Sequence, residues 1–281
     1  MEKVNSLKMT RPRILRTGAP LTHAAIAQVA PAVYAPGPHA ARGLRYLYVP
    51  TATPLQTLMD NGWGVYEVSQ QRARAADRDP YTKHMLRMRK LADFDTEQWK
   101  GDGVPEVILI NAHDGTAAYH LMAGYFRFVC SNGMMVGQRM AGFKVRHTVA
   151  PQTSLEVLDT AERLVTEKFP LMLEHVDAMQ NSGITEAAQR EFAELALRLR
   201  YGQTMAPFQA QQLLDVRRAV DEGDTVWKVL NRIQENVLQG GWETRSSMFD
   251  RKSMVRPVER VSAVTKINGG LWDHAMELVG A

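Results

Sequence analysis

The sequence predicts an α+β fold: a twisted antiparallel β-sheet built from hairpins, packed by a long helix and followed by a helical C-terminal half. Three observations carry this expectation. Between Tyr46 and Val149 apolar residues alternate with polar ones or gather in short β-rich runs. After Pro151 the period becomes that of a helix. Two dipeptides, Asp114-Gly115 and Asn132-Gly133, punctuate the β-rich region where tight hairpin corners need positive φ.

The chain of 281 residues is long for one simple domain and short for three, and its 45% hydrophobic content is ample for a core. Residues 1–20 read as a flexible basic arm, 21–180 as the α+β core with its sheet and long helix, and 181–281 as a helical C-terminal region. "LTHAAIAQVAPAVYA" forms a short helix opened at Thr22, and it ends before the Pro/Gly stretch "PGPHAARG". "GVYEVSQ", "HMLRMRKL", "VPEVILINAH", "TAAYHLMAGYFRFVC" and "GFKVRHTVA" are the strands. Thr153 and Glu156 make a T-x-x-E capping box for the long helix, whose Leu155, Leu158, Ala161, Val165 and Phe169 recur at helical spacing until Pro170 kinks or divides it. A second helix runs from Thr185 to Gly202 and a third follows Pro207. A fourth, "DTVWKVLNRIQENVLQGG", buries Val226, Leu230, Ile233 and Val237 and stops at Gly240-Gly241. "INGGLWDHAMELVGA" closes the chain as a short helix.

Several function classes lose support at once. A single cysteine makes no internal disulfide, no Cys cluster holds zinc, and neither an 18-residue apolar run nor a secretory leader is present, so a soluble cytoplasmic protein is expected. Phosphate-loop, dinucleotide, zinc-protease and nucleophile-elbow motifs are missing, so no nucleotide-driven motor and no cofactor is expected.

The net charge is only +4, but its distribution is uneven. No acid lies between Glu2 and Asp60, a window holding Lys3, Lys8, Arg11, Arg13, Arg16, Arg42 and Arg45. A second acid-free window, Gly115 to Leu155, holds Arg127, Arg139, Lys144 and Arg146, while acids crowd the later helices. A nucleic-acid face needs such an asymmetry, because neutralising phosphates releases counterions; an unevenly charged solvated surface is the alternative.

The stretch "NAHDGTAAYHLMAGYFRFVCSNGMMVG", Asn111 to Gly137, looks catalytic at first sight. Asp114 is better explained as a turn residue, and Cys130, on the strand parity of Phe126 and Phe128, as a small core hydrophobe. His84, His113, Asp114 and His120 match no standard metal spacing, and a metal-dependent nuclease built on them stands as a third reading. Strand parity points elsewhere. Arg127 lies opposite Phe126 and Phe128, Lys144 and Arg146 lie opposite Phe143 and Val145, and Arg87 and Arg89 lie opposite Leu86 and Met88. Three strands thus present cations on alternate positions, as a basic band across one sheet face or as an ordinary solvated one.

The segments "YTKHMLRMR", "VPEVILINAHDGTAAYHLMAGYFRFVCSNGMMVG", "VWKVLNRIQENVLQGG" and "INGGLWDHAMEL" closely resemble the bacterial phage/plasmid-like protein family called domain of unknown function 932, from about Leu21 to near the C-terminus. That resemblance implies a protein of mobile elements acting in DNA maintenance, recombination or evasion of host defence. "NGWGVYEVSQQ", Asn61 to Gln71, also resembles the hairpin entry of the Rad-group single-strand annealing protein core, which forms rings. The basic residues borne on a helix in that core are not clearly reproduced after Pro151, where acids dominate.

The resulting expectation is a phage- or plasmid-type single-stranded DNA annealing protein for recombination, working without a covalent step, metal or nucleotide. Arg87, Arg89, Arg127, Lys144 and Arg146 would bind phosphates, Arg72 and Lys83 would extend the track, and Trp63 or Tyr125 would stack on bases. Its partners would be single-stranded DNA, further copies of itself in a ring or filament, and a phage or plasmid exonuclease or single-strand-binding protein. The alternative is a mobile-element accessory or anti-defence protein that uses the acidic helical half for protein contact.

Overall fold

The computed structural model of the chain describes residues 11–90, 103–127, 134–135, 143–145, 154–245 and 252–280. The fold is α+β, with an antiparallel sheet in the first half and helices in the second. Seven strands form the main sheet: β1 (Arg13–Arg16), β2 (Trp63–Gln70), β3 (His84–Lys90), β4 (Gly103–Asn111), β5 (Tyr119–Arg127), β6 (Met134–Met135) and β7 (Phe143–Val145). They pair in chain order from β1 to β6, with β7 also on β5.

Two compact units interleave along the chain rather than dividing near residue 180. The first comprises residues 1–88, 108–120 and 144–158. Here the expected basic arm is corrected in part, because Arg13–Arg16 is the strand β1 and pairs antiparallel with β2, Leu15 opposite Val68 and Arg16 opposite Glu67. Both terminal cations of this strand find carboxylates, Arg16 on Glu67 at 2.9 Å and Arg13 on Asp79, which gives so short a strand a fixed register. Residues 1–10 lie outside the described ones. Helix α1 (His23–Val29) begins as expected, with the Thr22 hydroxyl accepting from the Ala25 amide. A helix that the strand pattern concealed, α2 (Ala52–Asp60), buries Leu55 and Leu58 and ends at Asn61 and Gly62, the latter at φ +83°.

The second unit comprises residues 89–107, 121–143 and 159–281. The long helix is divided at the position that Pro170 predicts: α3 (Ser154–Arg163) passes through a π-helical turn, Leu164–Lys168, into α4 (Phe169–Asn181), with the proline in the first turn of α4 where no backbone donor is missed. Thr153 of the expected capping box lies outside the described residues. Helix α5 (Glu186–Tyr201) is capped by Thr185 and ended by Gly202, and α6 (Val226–Gln239) by Thr225 and Gly240. After Pro207 only a short 3₁₀ turn forms, Ala210–Leu214, in place of a third helix. The closing helix, α7 (Val261–Leu278), starts earlier than expected and spans 18 residues. Gly270 within it permits close approach to α5, since a Cβ there would stand 2.7 Å from Leu199 Cδ2. A small hairpin, β8 (Glu243–Arg245) with β9 (Lys252–Met254), lies between α6 and α7.

The expectation of a solvated polar sheet face is overturned. All eight residues of β2, all nine of β4 and six of the seven of β3 are buried, so both faces of these strands are covered.

Candidate nucleic-acid interface

The basic residues that parity brings to one face are in the interior. Arg87, Arg89 and Arg127 are 2%, 4% and 2% exposed, and Trp63 and Tyr125 are each 1% exposed. A guanidinium can be buried only if its charge is met by a carboxylate and its donors by acceptors. Within the second unit that condition is fulfilled. Arg127 forks onto Asp221, Nη2 at 2.9 Å from Oδ1 and Nη1 at 3.3 Å from Oδ2, and its guanidinium also lies 5.6 Å from the Trp227 ring centre. Tyr125 meets the same Trp227 edge-on at 5.7 Å. Arg89 pairs with the buried Glu106 at 3.4 Å, and Lys90 with Glu162 at 2.8 Å. Apart from the half-exposed Lys90 and Glu162, these side chains are enclosed, and Arg87, Arg89, Arg127, Trp63 and Tyr125, which the sequence assigned to a DNA-facing surface, lie in the interior. The side chain of Lys144, and Arg146 altogether, lie outside the described residues, as do Cys130 and Asn132-Gly133.

Two of the sequence-named cations are not enclosed. Arg72 is exposed and Lys83 is half-buried, with burial pushing the Lys83 ammonium below its ordinary range against an opposing effect of Asp114. They belong to a larger group in the first unit. The loop after β2 carries Arg72, Arg74 and Arg78, all exposed, and the loop before α2 carries the half-buried Arg42 and the exposed Arg45. Over residues 11–88 ten Lys and Arg face four Asp and Glu.

Hydrogen bonds to backbone groups hold both loops. Gln71 N donates to Lys83 O at 2.8 Å, and Ala73 N donates to Asp79 Oδ1 at 3.0 Å. In the other loop His39 N donates to His113 O, and the Tyr46 hydroxyl to Ala112 O, each at 2.9 Å. The loops meet where His39 Nε2 lies 3.4 Å from Asp77 Oδ2. Asp79 is engaged by Arg13 and Asp77 lies beside His39, and because three arginines meet only these two carboxylates on the loop, the surface around Arg72, Arg74 and Arg78 keeps a positive balance.

The turn that looked catalytic is built as a corner. Gly115 adopts φ +79°, and Asp114 Oδ1 accepts from the amide of Thr116 at 3.0 Å and from its hydroxyl at 2.6 Å, an Asx-turn. His84 and His113 do come together, on Thr51, a residue that sequence reading passed over. His84 Nδ1 lies 3.1 Å from the Thr82 carbonyl, which can only accept, so that nitrogen carries the proton. Burial pulls the His84 imidazole down to about 4, so it is neutral, and its Nε2 accepts from the Thr51 hydroxyl at 2.8 Å. Asn111 Nδ2 donates to the same oxygen at 3.0 Å, and His113 Nε2 faces its remaining lone pair at 3.4 Å. Thr51, His84, Asn111 and His113 are all fully buried, and this network ties β3 and the end of β4 to the start of α2. Among the described residues, no group of three or more His, Cys, Asp or Glu is arranged to hold a metal ion. No helix among them is long and apolar enough to cross a membrane.

Comparison with known proteins extends the picture. The model of a family described as "Domain of unknown function (DUF932)" matches residues 38–267. The UPF0380 protein YafZ of Escherichia coli (strain K12) is 35% identical over 271 residues, covering 95% of this chain and 94% of its own. The UPF0380 protein YfjQ of the same strain is 34% identical over 271 residues, with the same coverage. No solved structure matches.

Proposed function

Since the chain belongs to the DUF932 family, with relatives collinear over nearly its whole length, we propose for it the role of a phage- or plasmid-type DNA-binding protein that holds single strands by their phosphates and promotes their annealing. The observation that carries this reading is the set of cations on two loops that meet at His39 and Asp77, the exposed Arg45, Arg72, Arg74 and Arg78 and the half-buried Arg42, with both loops fixed by hydrogen bonds to backbone groups. Phosphate contacts supply sequence-independent affinity, and a pre-ordered loop loses little entropy on binding. Annealing on such a surface is alignment of two neutralised strands, so it needs neither nucleotide nor metal. A cytoplasmic setting and assembly into rings or filaments belong to the same proposal.

Fluorescence anisotropy with labelled oligonucleotides across a salt series tests it. The combined variant Arg72→Ala, Arg74→Ala, Arg78→Ala should weaken binding and reduce the slope of log K against log salt by about 2, at about 0.7 for each single-strand phosphate that is no longer neutralised. Folded wild-type protein that binds no oligonucleotide at low salt would end the proposal.

A further inference from the structure

In the second unit, Tyr201 and Phe208 meet Trp242, more than thirty residues further on, near the C-terminal ends of α5 and α6. Both helices stop at a glycine in the left-handed region, Gly202 at φ +66° and Gly240 at φ +65°, and the chain leaves each end with an aromatic residue close by. The Phe208 and Trp242 rings lie 4.8 Å apart at 33°, and Tyr201 meets Phe208 edge-on at 5.9 Å. None of the three is fully buried. Two guanidinium groups extend the array, Arg217 at 4.9 Å from the Trp242 ring centre and Arg200 at 5.1 Å from that of Tyr201.

Among the described residues, neither Arg200 nor Arg217 is paired with a carboxylate. Arg217 donates to the Gly240 carbonyl, and Arg200 to the carbonyls of Val237 and Arg256. Those bonds fix the planes of the guanidinium groups and leave their positive charge in place, with Arg217 and Arg256 exposed to solvent. A partly exposed ladder of aromatic rings with two oriented guanidinium planes matches one ligand chemistry: a flat unpaired base joined to a phosphate. The base stacks on the ladder and the adjoining phosphate sits against Arg217 or Arg256.

We infer that Tyr201, Phe208, Trp242, Arg200 and Arg217 form a base-stacking site for single-stranded nucleic acid on the second unit. This rests on the nucleic-acid reading above and deepens it, because stacking requires an unpaired base whereas the cationic loops of the first unit bind any phosphate chain.

The test compares wild type with Trp242→Ala, Trp242→Phe and Arg217→Ala in the full chain, with circular dichroism confirming that each is folded. The probes are an oligothymidine and the same backbone with abasic residues. Trp242→Ala should weaken oligothymidine binding roughly five- to a hundredfold while the abasic strand binds it as it binds wild type, Arg217→Ala should weaken both strands but oligothymidine more, and Trp242→Phe should keep most of the affinity. Wild-type tryptophan emission should be quenched by oligothymidine, and part of that quench should vanish in Trp242→Phe. If wild type binds but all variants bind alike and prefer neither probe, the stacking site is wrong and the cationic surface stands. A self-associated wild type that Trp242→Ala converts to monomer, with unchanged oligonucleotide binding, would assign the ladder to a second copy of the chain and also overturn the inference. Failure of wild type to bind either strand would instead remove the nucleic-acid reading, and the stacking site with it.

Discussion

The bidentate pair between Arg127 and Asp221 offers a direct measurement of what the interior arginines do. Removing one partner takes the matching charge from the other, which stays desolvated. Arg127→Met alone, or Asp221→Leu alone, is therefore expected to cost about 3–5 kcal/mol, while the double variant, which replaces both charges by apolar groups, should return near the wild-type value. Loss of the guanidinium from the Trp227 ring adds to the first of these but does not reach the second. Urea denaturation of the four proteins gives the coupling energy, expected at about 3 kcal/mol or more, and thermal melting should show each single variant lowered by about 10 °C. Both residues lie in one unit, so the cycle is local. Single variants within about 0.5 kcal/mol of wild type, combined with loss of oligonucleotide binding, would refute the structural role and restore Arg127 as a phosphate contact.

Two further outcomes follow from the geometry. His84 titrates near 4 when folded and near 6.5 when unfolded, so as pH falls through that window the unfolded chain takes up a proton that the native one refuses; stability is full above about 6.5, declines by about 3 kcal/mol down to about 4 and then levels, and His84→Gln should flatten the pH dependence of the urea midpoint. Gly240→Ala should destabilise the protein by more than the roughly 1 kcal/mol usual at a left-handed cap, because φ is +65° and the new Cβ would stand 2.5 Å from the Val255 carbonyl oxygen; a melting temperature equal to wild type would contradict this.

Much of the architecture was legible because local rules set it. Threonine caps before α1, α5 and α6, the proline that divides α3 from α4, and glycines after α5 and α6 all act within a few residues of where they sit. Alternation placed β2 to β5 correctly, yet it could not report what covers each face. Arg127 is 94 residues from Asp221 and Lys90 is 72 from Glu162, and no window on the sequence joins them. The uneven charge of the chain, cations early and acids late, has a partly internal explanation in these pairs. The same limit hid the Thr51 network, where residues 33 and 62 positions away converge on one hydroxyl, and the aromatic ladder, whose members are scattered between Tyr201 and Trp242. The one available signal for the ladder was that two helices each end in glycine next to an aromatic residue. Helix α2 was missed because nine residues among strands give too little periodicity to stand out.

The strand β1 has a practical consequence for how the chain can be shortened. It is only four residues long, it occupies the end of the strand order, and a charged side chain stands at each of its ends. With it in place, the half of β2 from Glu67 to Gln70, which includes Val68, has a strand on both sides. A truncation beginning after Arg16, designed to discard a basic tail, would expose the margin of β2 from Glu67 to Gln70 as an open template for another chain. Such a product is expected to precipitate or exchange strands, so a trimmed form for crystallisation should begin before Arg13.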